Sequence, residues 1–425
     1  MHTSEPPADR PNLEVADVFR GEADSFLRSH AARLSSQQKR VFSDIQACRT
    51  AVMGGHVRSC AQCGHREISY NSCRNRHCPK CQAMARAAWL NDREAELLPI
   101  PYFHMVFTLP AEVAALALQN KRLLYGMLFE AASKTLKEVA ANPRHLGAAR
   151  IGLLAVLHTW GQNLMHHPHL HCVVSGGGLS ADESRWIASR DYYFLPVKVL
   201  SRVFRNKFCH MLREAFQRGE LGFHGKQAAL DDPENFRRFL RAAASREWVV
   251  YAKRPFREPS CVLKYLARYT HRVAISNRRV IDYRDGKVTF RYKDYAREGK
   301  QRTMTLDAAE FIRRFLLHVL PDGFMRIRHY GYLANRHRRE KLATCRRLLG
   351  CDTSGTPQGD VDPPENEMPE NELIDPRGET ETAIRCPACE TGRMLIVETF
   401  DRRPRRKHSP PPLRKPSPIP YQDSS

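Results

Sequence analysis

The chain has 425 residues, enough for two or three units at about 100–200 residues per domain and far too many for a disulfide-held miniprotein. Lys and Arg number 68 against 46 Asp and Glu, a formal charge of +22. Such a surface attracts polyanions, and nucleic acid first, because neutralised phosphates release their counterions. No run reaches the ~18 apolar residues of a membrane span, no amphipathic anchor is present, and the polar, proline-bearing start from Met1 to Pro11 is not a secretory signal. Six of the 13 cysteines crowd between Cys48 and Cys81, which favours reduced thiols and bound metal in a cytoplasmic setting.

Residues 1–12 read as disordered. From Leu13 to about Ala51, Val18, Phe19, Phe26, Leu27, Leu34 and Val41 recur at helical spacing, giving two helices. A Cys/His-rich segment from His56 to Cys81 and a polar helix from Gln82 to Leu98 then close a small helical domain over 13–99. In a second domain expected over 100–350, strands are predicted at Tyr102 to Leu109, Ile151 to Trp160 and Leu170 to Ser175, the last broken by Gly176 to Gly178. Helices are predicted at Ala111 to Ala141, Phe194 to Arg218, Ser260 to Arg272 and Leu306 to Leu320, with a short strand at Trp248 to Tyr251. Asp285-Gly286 between β-rich runs from Arg278 and to Tyr292 is the strongest hairpin signal. Along its second strand Val288, Phe290 and Tyr292 alternate with Lys287, Thr289, Arg291 and Lys293, an apolar face and a basic one. Residues 351–385 form an acidic, Pro-rich disordered linker, and 386–425 a CxxC segment with a basic Pro-rich tail.

Three constellations carry chemistry. Cys60-x2-Cys63 and Cys78-x2-Cys81 offer four thiolates to one structural Zn2+, although the gap between the pairs is short enough that Cys73, His65 and His77 compete as ligands. Arg58, Arg66, Arg74, Arg76 and Lys80 decorate this finger and suit phosphate contacts. His169-Leu170-His171 enters a strand, where residues i and i+2 share a face and can present two imidazoles to one ion. His158, near the end of the preceding strand, joins them if the turn through Gly161 and Asn163 brings the strands back antiparallel. Tyr265 and Tyr269 are one helical turn apart, flanked by Lys264, Arg268 and Arg272. A phenol with a pKa of about 10 attacks poorly unless a divalent cation polarises the phosphate. Cys386-x2-Cys389 is half of a further zinc site, for which Cys345 and Cys351 are the candidate partners.

Histidine-hydrophobe-histidine ahead of a YxxxY helix, behind a CxxC…CRNRHCPKC segment, resembles the two-tyrosine HUH transposases of rolling-circle insertion sequences, the insertion sequence 91 family. The resemblance runs from about Leu13 to Leu349 through YFHMVFTLP (102–110), HPHLHCVVSGGG (167–178), YLARYTHRVAISN (265–277) and RHYGYLANRHR (328–338). It implies an α+β fold in which an HUH-type antiparallel sheet with flanking helices follows the helical zinc-binding domain and precedes a disordered tail. It further implies His169 and His171 as ligands of catalytic Mg2+ or Mn2+, and Tyr265 and Tyr269 as nucleophiles. His158 is the inferred third ligand, as in relaxases whose third histidine lies upstream; His271 is its competitor, since other relatives take that ligand from the tyrosine helix.

The expected activity is cleavage and rejoining of single-stranded DNA at element ends and target through 5′-phosphotyrosine, with Lys264, Arg268, Arg272, Arg291 and Lys293 on the DNA. Self-association stays open. No GxxxxGK[ST] loop is present, so no ATP is expected. A rolling-circle replication initiator or relaxase, a non-catalytic zinc-finger regulator and a zinc hydrolase remain the alternatives. Metal-dependent nicking with a covalent adduct separates the last two.

Overall fold

A computed structural model describes residues 13–82, 96–148, 150–190, 194–253, 274–294, 299–351 and 384–402. The expected tyrosine helix, with Lys264, Tyr265, Arg268, Tyr269, His271 and Arg272, lies outside the described residues, as do nearly all of the expected linker and basic tail. Helices α1 (Val15–Gly21), α2 (Ala23–His30) and α3 (Ser36–Ala47) open the chain. The third starts in a capping box, in which the Gln38 amide donates to the Ser35 hydroxyl and the Ser35 amide donates to the Gln38 side chain. Then come β1 (Gly55–Cys60), β2 (Arg66–Tyr70), β3 (Tyr102–Thr108), α4 (Ala111–Gln119), α5 (Lys121–Ala141), β4 (Arg150–Trp160), β5 (His166–Leu179) and β6 (Trp186–Ala188). They are followed by α6 (Val197–Gln217), α7 (Pro233–Ser245), β7 (Val250–Ala252), β8 (Val280–Arg284), β9 (Lys287–Asp294), β10 (Lys300–Asp307), α8 (Ala308–Leu317), β11 (Ile327–Tyr330), α9 (Arg338–Leu348) and β12 (Met394–Phe400). Among the described residues no helix is long and apolar enough to cross a membrane.

The chain divides into two units: residues 49–72 with 384–402, and the remainder. The small unit is a three-stranded antiparallel sheet, β12-β1-β2, in which Cys60 pairs with Met394 and Gly55 with both Phe400 and Tyr70. The strand at Met394–Phe400, between the second CxxC pair and the basic tail, is not predicted from the sequence.

The large unit is the expected α+β architecture, built on an antiparallel sheet ordered β11-β4-β5-β3-β7, with β6 added to β5. Strand alternation splits its side chains. Met105, Phe107, Leu153, Ala155, Leu157, Leu170, Cys172 and Val174 enter the main core with α4, α5, α6 and α7. Leu154, Val156 and Val173 point the other way, onto Tyr332, Leu342 and Cys345. Strand β5 runs through Gly176 to Gly178 instead of breaking there. A Cβ at Gly178 would stand 2.5 Å from the Arg150 carbonyl oxygen, so the missing side chains admit a close neighbour and do not end the strand. At the sheet's edge Gly331, with φ +66°, seats Tyr332 against β4; a Cβ there would fall 1.6 Å from the Ile151 oxygen. The 328–338 stretch therefore packs.

A second sheet, β10-β9-β8, carries the expected hairpin, its turn made by Asp285 and Gly286 at φ +50° and +67°. Its inner residues Val288 and Phe290 share a core with Phe311 and Phe315 of α8 and with Val15, Phe19, Phe42 and Ile45 of the first helices. The first helices thus share one core with the second sheet and α8. The Phe19 ring of α1 meets Phe42 of α3 and Phe315 of α8 at 5.2 Å each.

Candidate metal centres

The register of β4 against β5 decides which histidines meet. His158 lies opposite His169, and Val156 opposite His171, so all three histidines fall on one face while Leu170 turns into the main core. The reversal is tight, with the Gly161 amide donating to the Met165 carbonyl at 2.9 Å. Ligand nitrogens of His158, His169 and His171 all lie within 4.8 Å of one another, close enough to share one cation. His158 and His171 are buried and His169 half-buried. The Trp160 ring stacks on His158 with centroids 4.6 Å apart.

Metal ligation needs neutral imidazoles with the lone pair aimed inward. Burial pushes His169 down to about 4, so it is neutral at pH 7. Its Nδ1 stands 2.7 Å from the His167 carbonyl oxygen; a proton held there leaves Nε2 for an ion. His171 Nδ1 faces Nε2 of His104 at 2.8 Å. Burial, with Lys253 nearby, holds His104 down to about 4, so it is neutral, and in the tautomer that accepts from His171 Nδ1 it leaves Nε2 of that ligand free of hydrogen. Motif spacing in the sequence does not single out His104. Its signal was present, since alternation along Tyr102–Thr108 puts residue 104 on the face that carries the other histidines.

The single Cys60, Cys63, Cys78, Cys81 site is not what the chain forms. Cys78 and Cys81 gather with Cys48 and Cys73; Cys60 and Cys63 gather with Cys386 and Cys389, not with the expected Cys345 or Cys351. The physical reason lies in β1, whose partner strand β12 delivers the second thiol pair beside the first. In the Cys48 cluster, Sγ atoms of Cys48 and Cys81, and of Cys73 and Cys81, are 3.6 Å apart. Tetrahedral Zn–S bonds of about 2.3 Å imply an S···S edge of about 3.8 Å. A hydrogen bond from Cys73 pulls the Cys48 thiol down, while those of Cys73 and Cys78 are pushed up by Cys48. A divalent cation removes that competition for protons. His77 is no ligand here: its Nε2 accepts the Leu320 amide at 3.1 Å. Arg76 also turns inward, onto the Pro321 and Phe324 carbonyls at 2.7 and 2.5 Å, and Lys80 pairs with Glu14, so neither is left facing phosphate. Arg291 and Lys293 stand exposed on β9, on the side opposite buried Val288 and Phe290.

Comparison with known proteins gives these sites a context. A family described as "Putative transposase" matches residues 152–341, and one described as "Transposase zinc-binding domain" matches 18–109. The chain is 54% identical to "Putative transposase y4qJ" of Sinorhizobium fredii over 92% of its length and 96% of the relative's. The chain belongs to the insertion sequence 91 family of transposases. This transposase is also 29% identical to the transposase for insertion sequence element IS801 of Pseudomonas savastanoi pv. phaseolicola, over 68% of each chain. A solved structure titled as the conjugative relaxase TrwC in complex with oriT DNA, metal-bound, overlaps 59% of the transposase and 73% of the relaxase chain at 14% identity and a TM-score of 0.23, too low to establish a shared fold. The zinc-binding match spans Cys48 to Cys81 of the transposase, and zinc is the ion its four-thiol clusters fit.

Proposed function

We propose that this transposase cuts and rejoins single-stranded DNA through 5′-phosphotyrosine intermediates, moving its element by a rolling-circle route. One observation carries the reading: three imidazoles converge on one face of an antiparallel sheet in a chain of a transposase family. Tyr265 or Tyr269 attacks the scissile phosphorus. The phenolic O–P bond forms as the P–O3′ bond breaks, the phenol gives up its proton, and the departing 3′-oxygen takes one up as a hydroxyl. The other tyrosine serves the second strand, and the ester keeps the bond energy for rejoining, so no nucleoside triphosphate is consumed. His158, His169 and His171 would hold Mg2+ or Mn2+, which supplies Lewis-acid polarisation of the phosphate; three nitrogen donors suit Mn2+ better than Mg2+. His104 acts through His171 by fixing its tautomer. Lys264, Arg268 and Arg272, with Arg291 and Lys293, neutralise phosphates along the unpaired strand. Cys48, Cys73, Cys78 and Cys81 hold structural zinc.

The test is a denaturing gel of labelled single-stranded oligonucleotides from the element's ends, run with Mn2+ or EDTA. A metal-dependent covalent adduct is expected, lost when both Tyr265→Phe and Tyr269→Phe are introduced. Binding with no adduct and no cleavage returns the chain to a DNA-binding regulator, and cleavage with no adduct to a metal hydrolase.

A further inference from the structure

We propose that Cys60, Cys63, Cys386 and Cys389 hold a second structural zinc ion, which makes residues 49–72 and 384–402 the two halves of one zinc ribbon. This inference is independent of the transposition mechanism. Sγ of Cys60 lies 3.7 Å from that of Cys389, and Sγ of Cys63 3.6 Å from that of Cys386. These separations match the tetrahedral edge of about 3.8 Å around zinc and are far from the disulfide length of about 2.05 Å.

Both halves are built as ligand-bearing turns. The amides of Gln62 and Cys63 donate to the Cys60 sulfur at 3.4 Å each; the Ala388 amide donates to Cys386 at 3.4 Å and the Gly392 amide to Cys389 at 3.3 Å. Backbone donors aimed at sulfur favour the thiolate, the form that ligates. The residue after the second cysteine is left-handed in each turn, Gly64 at φ +72° and Glu390 at +60°. A glutamate held there signals a turn over-determined by its surroundings. Gly392 approaches the cluster so closely that a Cβ would fall 2.3 Å from the Cys60 sulfur and 3.1 Å from that of Cys389.

Besides its two antiparallel ladders, the small unit has little apolar core among the described residues. Its buried apolar cluster consists of Cys60, Ile384, Cys386 and Met394, with Cys389 packed against it. Two of the four are themselves thiols of the cluster. A three-stranded sheet with so little core needs a staple, and β12 reaches β1 from the far end of the sequence.

The experiment measures zinc per chain on the full-length protein by elemental mass spectrometry, with alkylation mapping of every cysteine. Cys386→Ser/Cys389→Ser is expected to lose one zinc, and Cys60→Ser/Cys63→Ser one zinc. The variant with all four replaced is expected to lose the same single ion, since both pairs serve one site. In Cys386→Ser/Cys389→Ser, Cys60 and Cys63 become labelled while Cys48, Cys73, Cys78 and Cys81 stay protected, which also reports that the rest of the chain is folded. Cys389→His, which keeps a ligand, is expected to retain the ion. Unchanged zinc in Cys386→Ser/Cys389→Ser, continued protection of Cys60 and Cys63 there, or loss of two ions in the fourfold variant overturns the proposal.

Discussion

Replacing His104 by Leu removes the ring nitrogen that faces His171 Nδ1 at 2.8 Å, in a position only 3% exposed, and with it the acceptor that metal ligation through Nε2 of His171 would require. An apolar side chain fills much of the space, so the loss falls mainly on the hydrogen bond. His171 is then no longer held to the Nδ1–H tautomer, and a proton on Nε2 blocks the nitrogen an ion would use. Loss of such a supporting partner costs roughly 10–100-fold in metal affinity, or about 1.4–2.8 kcal/mol. That is the range expected for stranding one buried donor, about 1–3 kcal/mol. The assay is a calorimetric Mn2+ titration of metal-stripped protein beside a DNA-cleavage series in Mn2+. His104→Leu should raise the half-saturating Mn2+ concentration by that factor and leave the rate at saturation close to wild type. His104→Gln, which still offers an acceptor, should recover most of the affinity. A His104→Leu chain that melts like wild type and binds Mn2+ with unchanged affinity refutes the positioning role. Equal losses at limiting and saturating Mn2+ would place His104 against the reacting atoms instead.

Gly331→Ala should destabilise the large unit by at least about 2 kcal/mol, from the left-handed φ and from overpacking against the Ile151 carbonyl; a thermal melt within a degree or two of wild type would contradict that. Burial holds His318 down to about 3, with Nε2 3.0 Å from the Leu164 oxygen and Nδ1 3.2 Å from the Thr159 hydroxyl. Its folded value lies below the unfolded one of about 6.5, so its stabilising contribution is complete above that pH and is lost as pH falls toward 3. At 1.36 kcal/mol per unit the limit is about 5 kcal/mol. Metal-stripped protein should therefore melt progressively lower from pH 6.5 to 4, less steeply in His318→Gln, and a flat profile would show that His318 does not carry the effect. Arg291→Ala/Lys293→Ala should reduce the salt dependence of single-stranded DNA binding by about 0.7 per lost contact, about 1.4 in all; an unchanged slope in filter binding would remove β9 from the DNA path.

Local patterns were the legible ones. The 280–294 hairpin, the antiparallel pairing of the 150–160 and 166–179 strands and the face shared by residues 169 and 171 all follow from alternation and turn chemistry within a few residues. What escaped was set by packing between distant segments. The first helices look self-sufficient until Phe19 is seen against Phe315. The glycines at 176–178 read as a break because nothing local announces the Arg150 carbonyl beside them. Two adjacent CxxC pairs invite pairing with each other, yet neither sequence distance nor cysteine count states which strand lies next to β1. His104 carried the right periodicity and lacked only the knowledge that β3 borders β5.

The split thiol cluster also sets a timetable for the growing chain. Cys63 and Cys386 are 323 residues apart, so at roughly 5–20 residues per second a ribosome delivers the second pair about 15–65 s after the first. His158 and His169, opposed across one hairpin, can meet within microseconds of emerging. Throughout the wait, Cys60 and Cys63 stand beside Cys78 and Cys81 in the nascent polypeptide, and zinc captured by that nearer quartet is a kinetic trap. The ends of the Cys48, Cys73, Cys78, Cys81 cluster are only 33 residues apart, so its early closure would withdraw the competing thiols before the late partners arrive.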